Sequence, residues 1–169
     1  CLSVSFFKSG LDKILSKYQC IISYADIFYE KKAIEILKKS KIKRGIVILS
    51  YEYWKKYWQE RFDNPLSDLE TFRTNSKNQL VEIGSRTNSY KNIKGQYMGV
   101  FKIDPDSWCK IKRHLFKDIK NLNKIDITAL FQLIIKKKIC NIYVENYEKK
   151  WFEIDNVKDY KVLKKSIEN

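Results

Sequence analysis

Glycine and proline are scarce in this sequence, with five and two among 169 residues, and histidine occurs once. No stretch matches GxGxxG or GxxxxGK[ST], so the chain encodes no complete phosphate-cradling loop of its own. The single histidine, His114, removes histidine-based catalytic triads unless it is itself the base. It lies in the charged stretch KIKRHLFKDIK, which reads as a solvated helix face. The four cysteines, Cys1, Cys20, Cys109 and Cys140, are dispersed without a CxxC pair. A structural zinc site or a redox dithiol is hard to build from them, and reduced thiols in a cytoplasmic protein are the plain reading. Long apolar runs are missing too: charged residues interrupt every hydrophobic stretch well short of the roughly 18 residues that span a bilayer. The first residue is Cys and not Met, which suggests that the sequence begins inside a longer protein.

What is present is a chain that is 44% hydrophobic and 14% aromatic, enough to bury the core of one globular domain, here taken as residues 1–169. The formal net charge is +14, from 34 Lys and Arg against 20 Asp and Glu. The lysines are spread along the chain beside Ile, Asn and Tyr instead of forming a stripe or an arm. Solvation is therefore preferred to nucleic-acid binding.

The pattern of apolar residues alternates between helix and strand. Ser5 to Tyr18 has helical spacing, and CIISYADI reads as a strand buried on both faces of a parallel sheet. KKAIEILKKS is a short amphipathic helix, GIVILS a second buried strand, and YEYWKKYWQER an aromatic-rich helix. From Phe62 to Asn92 the sequence turns polar, as expected of short strands and turns, before YMGVFKI returns to a strand. Asp104 followed by Pro105 looks like a helix N-cap with proline at the first helical position, opening a helix to about Lys120. Asp126 caps ITALFQLIIKKK, and the strands CNIYVE and WFEI precede Asn156 as the cap of a last helix. This alternation is the mark of an α/β domain.

In open α/β sheets ligands lie beyond the carboxyl ends of the strands. Asp26, after CIISYA, and Asp155, after WFEI, are so placed. Two carboxylates from distant parts of the chain suit Mg²⁺, which takes one or two of them plus phosphate oxygens. Spacing alone equally allows a strand-end turn residue and a helix N-terminal acid. Asp68 and Glu70 read as a turn followed by a solvated acid. Tyr51, Tyr53, Trp54, Tyr57 and Trp58 read as helix packing, or as a cage for a quaternary ammonium.

The segments SYADIFYEKKAI, RFDNPLSDLETFR, VEIGSRT, GQYMGVFKIDPDSW, DITALFQLII and WFEIDNVKDYKVL, in this order, resemble the nucleotidyltransferases that make activated small head groups. The likeness extends to cytidylyltransferases acting on phosphocholine and on 2-aminoethylphosphonate. W-x-EID-x-x-x-DY is its most specific part, and NPLSD-x-ETF the next. The resemblance implies a Rossmann-like three-layer α/β/α fold with a mixed sheet, lacking its N-terminal βα unit. It also implies transfer of CMP from CTP to a small phosphate or phosphonate acceptor, with Asp26 and Asp155 holding catalytic Mg²⁺. Arg86 stands where many relatives carry a substrate-facing lysine, and Gly99 where a glycine backbone lies close to the acceptor. Tyr24, Tyr29 and Trp54 would face the acceptor. The glycine-rich loop of these enzymes would precede Cys1, so the chain alone is expected to bind nucleotide weakly. The alternatives are a sugar-1-phosphate nucleotidyltransferase using another nucleotide, and an inactive chain or basic binding module that keeps the fold.

Overall fold

Two strands carry the alternation that organises the molecule. In β3 (Ile46–Tyr51), Ile46 and Ile48 point to one side and Val47 and Leu49 to the other, and all four are fully buried. In β6 (Gln96–Ile103), Phe101 and Ile103 face the first side, Met98 and Val100 the second. A strand buried on both faces must be covered twice, and each such side chain contributes about 1.5–3 kcal/mol. The computed structural model describes residues 11–116 and 125–168, and among them two hydrophobic clusters supply that cover.

The sheet runs β1-β6-β3-β7, with β1 at Cys20–Ser23 and β7 at Ile142–Tyr147. β6 is antiparallel to both β1 and β3, whereas β3 and β7 are parallel. The first cluster packs α4 (Pro105–Ile111) and α5 (Ile127–Lys136) on one face, together with a two-stranded ribbon of β4 (Glu70–Thr74) and β5 (Leu80–Arg86). The second packs α2 (Lys32–Lys39), α3 (Trp54–Arg61) and α6 (Val157–Ile167) on the other. A small pairing of β2 (Ile27–Tyr29) with β8 (Trp151–Glu153) joins that second layer, and α1 (Leu11–Leu15) contributes Leu15 to the first. This is the expected three-layer mixed α/β arrangement.

The caps form as expected. Asp104 accepts from the Ser107 amide at 3.1 Å, Asp126 from Ala129 at 2.7 Å, and Asn156 from Lys158 and Asp159 at 2.8 and 3.1 Å. Asp104 does more than cap, since its other oxygen accepts the Gly45 amide at 2.7 Å. Gly45 has φ +109°, and a Cβ there would meet the Asn141 carbonyl oxygen at 2.6 Å, so only glycine enters β3 at this point.

Three expectations change. CIISYADI is not a doubly buried parallel strand: β1 is half-buried and antiparallel to its one strand partner among the described residues, and the segment then turns at Tyr24 to Asp26 and joins a different sheet as β2. An apolar run cannot distinguish an edge strand under a helix from a central one. The helix opened by Asp104 ends at Ile111 and continues as a π-type turn, Lys112–Phe116, while the expected extension to Lys120 lies outside the described residues. Of the Ser5 to Tyr18 helix, Leu11–Leu15 is described, and Ser5 to Gly10 lie outside. The third change, at Glu70, belongs to the site. His114 is exposed, with Nδ1 2.9 Å from the Lys110 carbonyl oxygen. Among the described residues no helix is long and apolar enough to cross a membrane.

Candidate active site

Beyond the ends of β1 and β8 the chain makes two turns that meet. The Ile154 amide donates to the Asp26 carbonyl oxygen at 2.9 Å, extending the β2–β8 pairing by one step. Asp26 and Asp155 therefore sit at one rim, one on each side of this bond. Both are exposed, and the Asp26 side chain makes no hydrogen bond or ion pair among the described residues.

Asp155 is organised from beneath by Arg61, the last residue of α3. The Arg61 side chain is 2% exposed; its Nη2 lies 3.0 Å from Asp155 Oδ2, and its Nη1 3.1 Å from Glu153 Oε2. Nε and Nη2 together grip Asp159 in a two-point contact, both at 3.0 Å. The guanidinium also stacks over Tyr57, Trp58 and Phe62, at 5.2, 5.7 and 5.1 Å from the ring centres. Burial alone would lower its pKa, but the hydrogen bonds and charge of Asp159 win and hold the cation firmly. Asp159 in turn accepts the Asp155 amide at 3.1 Å, so the backbone of the rim is tied to the same centre.

Below the rim opens a cleft of about 240 Å³ between the β4–β5 ribbon and the end of the sheet. Tyr24, Gly99 and Asp155 line it, as do Trp58, Glu70, Tyr97 and Glu153. Gly99 has φ +76° where β6 breaks register with β3, and a Cβ there would come within 2.8 Å of the Tyr24 ring. The missing side chain thus admits the tyrosine, whose amide donates to the Gly99 carbonyl at 2.8 Å. Tyr24 meets Tyr97 edge-on at 5.9 Å, and burial with nearby Asp126 and Glu153 raises its hydroxyl pKa strongly.

Glu70 corrects the expectation of a solvated acid. It is half-buried in the cleft, and burial, then Asp126 and Asp68, raise its pKa. Glu153 is raised too, by burial and by Asp155, with Arg61 pulling against both. Asp68 does form part of a turn, and accepts the Trp58 indole N–H at 2.9 Å. Trp58 stacks on Trp151 at 6.0 Å, which explains why the NPLSD and W-x-EID stretches belong to one site.

The remaining expected residues fall outside the cleft lining. Arg86 is exposed at the end of β5, opposite Glu70 in the ribbon register. The Tyr29 hydroxyl donates to Ser23 Oγ at 3.1 Å. Trp54 is buried in the second cluster, its ring 6.3 Å from Tyr90. Sequence reasoning missed Arg61, Glu70, Tyr97, Glu153 and Asp159. Arg61 left a signal: it lies four residues after Tyr57 and three after Trp58, on the buried face of α3, where an arginine requires acidic partners.

The fold is a cytidylyltransferase-like sugar-nucleotidyltransferase fold. It superposes on an inositol-1-phosphate CTP transferase from T. maritima with a TM-score of 0.65 and 19% identity, covering 95% of this chain and 60% of that one. A Bacillus anthracis structure assigned as a glucose-1-phosphate thymidylyltransferase gives a TM-score of 0.64 and 12% identity, covering 96% of this chain and 58% of that one. In sequence the chain is 32% identical over 156 residues to the CTP:phosphoglutamine cytidylyltransferase of Campylobacter jejuni subsp. jejuni serotype O:2, over 88% of this chain. It spans 60% of the length of that relative. No family model matches.

Proposed function

We propose that this chain forms the acceptor-binding part of a Mg²⁺-dependent cytidylyltransferase, which transfers CMP from CTP to a small phosphorylated or phosphonate acceptor. The observation that carries this reading is the Ile154–Asp26 backbone bond, which sets the turns bearing Asp26 and Asp155 side by side, with Asp155 lining the open cleft. The name of the Campylobacter relative supports CTP as donor and a phosphorylated acceptor.

The donor chemistry fits magnesium. Among the described residues no three His, Cys, Asp or Glu side chains gather as a metal cage, but Mg²⁺ does not need one; it keeps waters and takes one or two carboxylates plus phosphate oxygens. Asp26 would offer its whole carboxylate, and Asp155 the oxygen that Arg61 leaves free. When bound, the ion would neutralise charge on the triphosphate.

In the reaction a phosphate or phosphonate oxygen of the acceptor attacks the α-phosphorus of CTP in line. The new P–O bond forms as the bond to the β-phosphate bridging oxygen breaks, and pyrophosphate leaves with that electron pair. The protein's work is alignment and charge placement. Arg61 holds Asp155 at the rim, Tyr24 and Gly99 shape the cleft wall, and Arg86, exposed across from Glu70 at the end of β5, would contact a phosphate.

The test is pyrophosphate release by the protein as encoded, given each nucleoside triphosphate and a panel of acceptors including phosphocholine, 2-aminoethylphosphonate and phosphoglutamine. CTP should be the donor used. Asp26→Ala and Asp155→Ala should each slow turnover by roughly a hundredfold or more at saturating Mg²⁺, the scale of losing several kcal/mol of charge stabilisation. Unchanged turnover in both variants refutes the metal assignment.

A further inference from the structure

Arg61 is one cation shared among three carboxylates, and the sharing is uneven. Asp159 takes it at two points, Nε and Nη2 both at 3.0 Å, and the two side chains are 2% and 3% exposed. Glu153 and Asp155 each receive one contact, at 3.1 and 3.0 Å, and are 29% and 53% exposed. Charges that face each other away from water are screened least, so Asp159 answers most of the guanidinium's charge. Asp155 is held through Oδ2, and its Oδ1 makes no hydrogen bond or ion pair among the described residues. Asp159 Oδ2 also accepts the Asp155 amide at 3.1 Å and the Asn156 side-chain amide at 2.9 Å. One carboxylate thus fixes the backbone of Asp155 directly and its side chain through Arg61.

This arrangement resolves a conflict. A guanidinium on one oxygen of a carboxylate orients the other oxygen, yet its positive charge opposes a second cation bound there. Resting on the metal reading above, we propose that Asp159 is a positioning residue for the cation site: by compensating Arg61, it lets the arginine orient Asp155 without cancelling the negative charge that Asp155 offers to Mg²⁺. Asp159 is buried and lies outside the cleft lining, so it acts through its neighbours and not as a ligand. The rings of Tyr57, Trp58 and Phe62 pack around the guanidinium and hold it in place. Once Asp159 loses its charge, Asp155 and Glu153 therefore face the full cation.

The experiment is titration of the protein as encoded with Mn²⁺, which takes the same oxygen ligands as Mg²⁺ and is read by its electron paramagnetic resonance signal. Asp159→Asn keeps the shape of the side chain and an oxygen for the Asp155 amide, and it leaves Arg61 two acidic partners, so the variant should fold. It should bind Mn²⁺ roughly tenfold more weakly, the scale on which groups behind a metal ligand act. Amide hydrogen exchange at Asp155 should stay as slow as in the parent. Adding Arg61→Met removes the uncompensated cation and should recover most of the lost affinity. Unchanged affinity in Asp159→Asn overturns the inference and leaves the metal assignment standing. A weaker site accompanied by fast exchange at Asp155, or one that Arg61→Met does not improve, overturns it as well, since Asp159 would then serve the backbone alone. A parent that binds no Mn²⁺ refutes the metal assignment, and the inference falls with it.

Discussion

Replacing Arg61 with methionine keeps the length and most of the volume of the side chain but removes the charge at the centre of three carboxylates. The Asp159 side chain is 3% exposed, Glu153 29% and Asp155 53%. The exposed Asp155 pair contributes no more than about 1 kcal/mol. The Asp159 contact decides the outcome, because removing one partner of a buried pair leaves an uncompensated charge, at about 3–5 kcal/mol. That is a large fraction of a typical domain's stability of about 5–15 kcal/mol. In a domain of this size it lowers Tm by roughly 10 °C, and urea denaturation followed by circular dichroism should show the midpoint fall with an unchanged slope. The pH dependence has a definite sign. Glu153 already titrates above its ordinary value in the fold, through burial and Asp155, and without Arg61 it would titrate higher still. A carboxyl with a raised folded-state pKa binds its proton more tightly folded than unfolded, so stability is present below the unfolded value and is lost as pH rises through the folded one. The deficit of Arg61→Met against the parent should therefore be greatest at neutral pH and narrow below about pH 4. The double variant with Asp159→Asn should be little worse than Arg61→Met alone, since the orphaned charge has gone. A loss under about 1 kcal/mol, or plain additivity in the cycle, would show that Arg61 behaves as a surface pair and that the reasoning is wrong.

Two further substitutions probe the frame around the site. Gly99→Ala places a Cβ 2.8 Å from the Tyr24 ring at φ +76°, and should cost about 2 kcal/mol by thermal melt and weaken acceptor binding through displacement of Tyr24; a neutral effect on both would mean that the Tyr24–Gly99 contact is not needed. Asp104→Ala removes both the α4 cap and the acceptor for the Gly45 amide, with Ser107 Oγ at 3.1 Å as the amide's remaining partner. It should cost about 3 kcal/mol, beyond the roughly 1 kcal/mol of a cap alone, and a loss at that lower figure would assign Asp104 to capping only.

The local signals in this sequence were legible because their physics is local. Asp104, Asp126 and Asn156 cap the helices that follow them, each through a hydrogen bond reaching two or three residues along the chain. GIVILS reads as doubly buried and is, because the backbone alternation of a strand alone sends Ile46 and Ile48 one way and Val47 and Leu49 the other. The resemblance of W-x-EID-x-x-x-DY and NPLSD-x-ETF to the cytidylyltransferases foretold the fold.

What only the tertiary structure decided is pairing across distance. Hydrophobicity alone did not tell that CIISYADI divides between two sheets, because a half-buried strand with one described partner can carry the same apolar residues as a central one. Nor did it tell that Arg61, more than ninety positions from Glu153, Asp155 and Asp159, gathers all three. Glu70 looked solvated because a single acid in a polar stretch usually is, until the ribbon folded it into the lining of the cleft. The scarcity of glycine takes on meaning at this level. Among the described residues, Gly45 and Gly99 combine a positive φ with no room for a Cβ, the first beside the Asn141 carbonyl and the second beneath the Tyr24 ring. The chain encodes its turns and caps residue by residue, whereas charge compensation and room in the cleft arise only where segments distant in sequence are packed together.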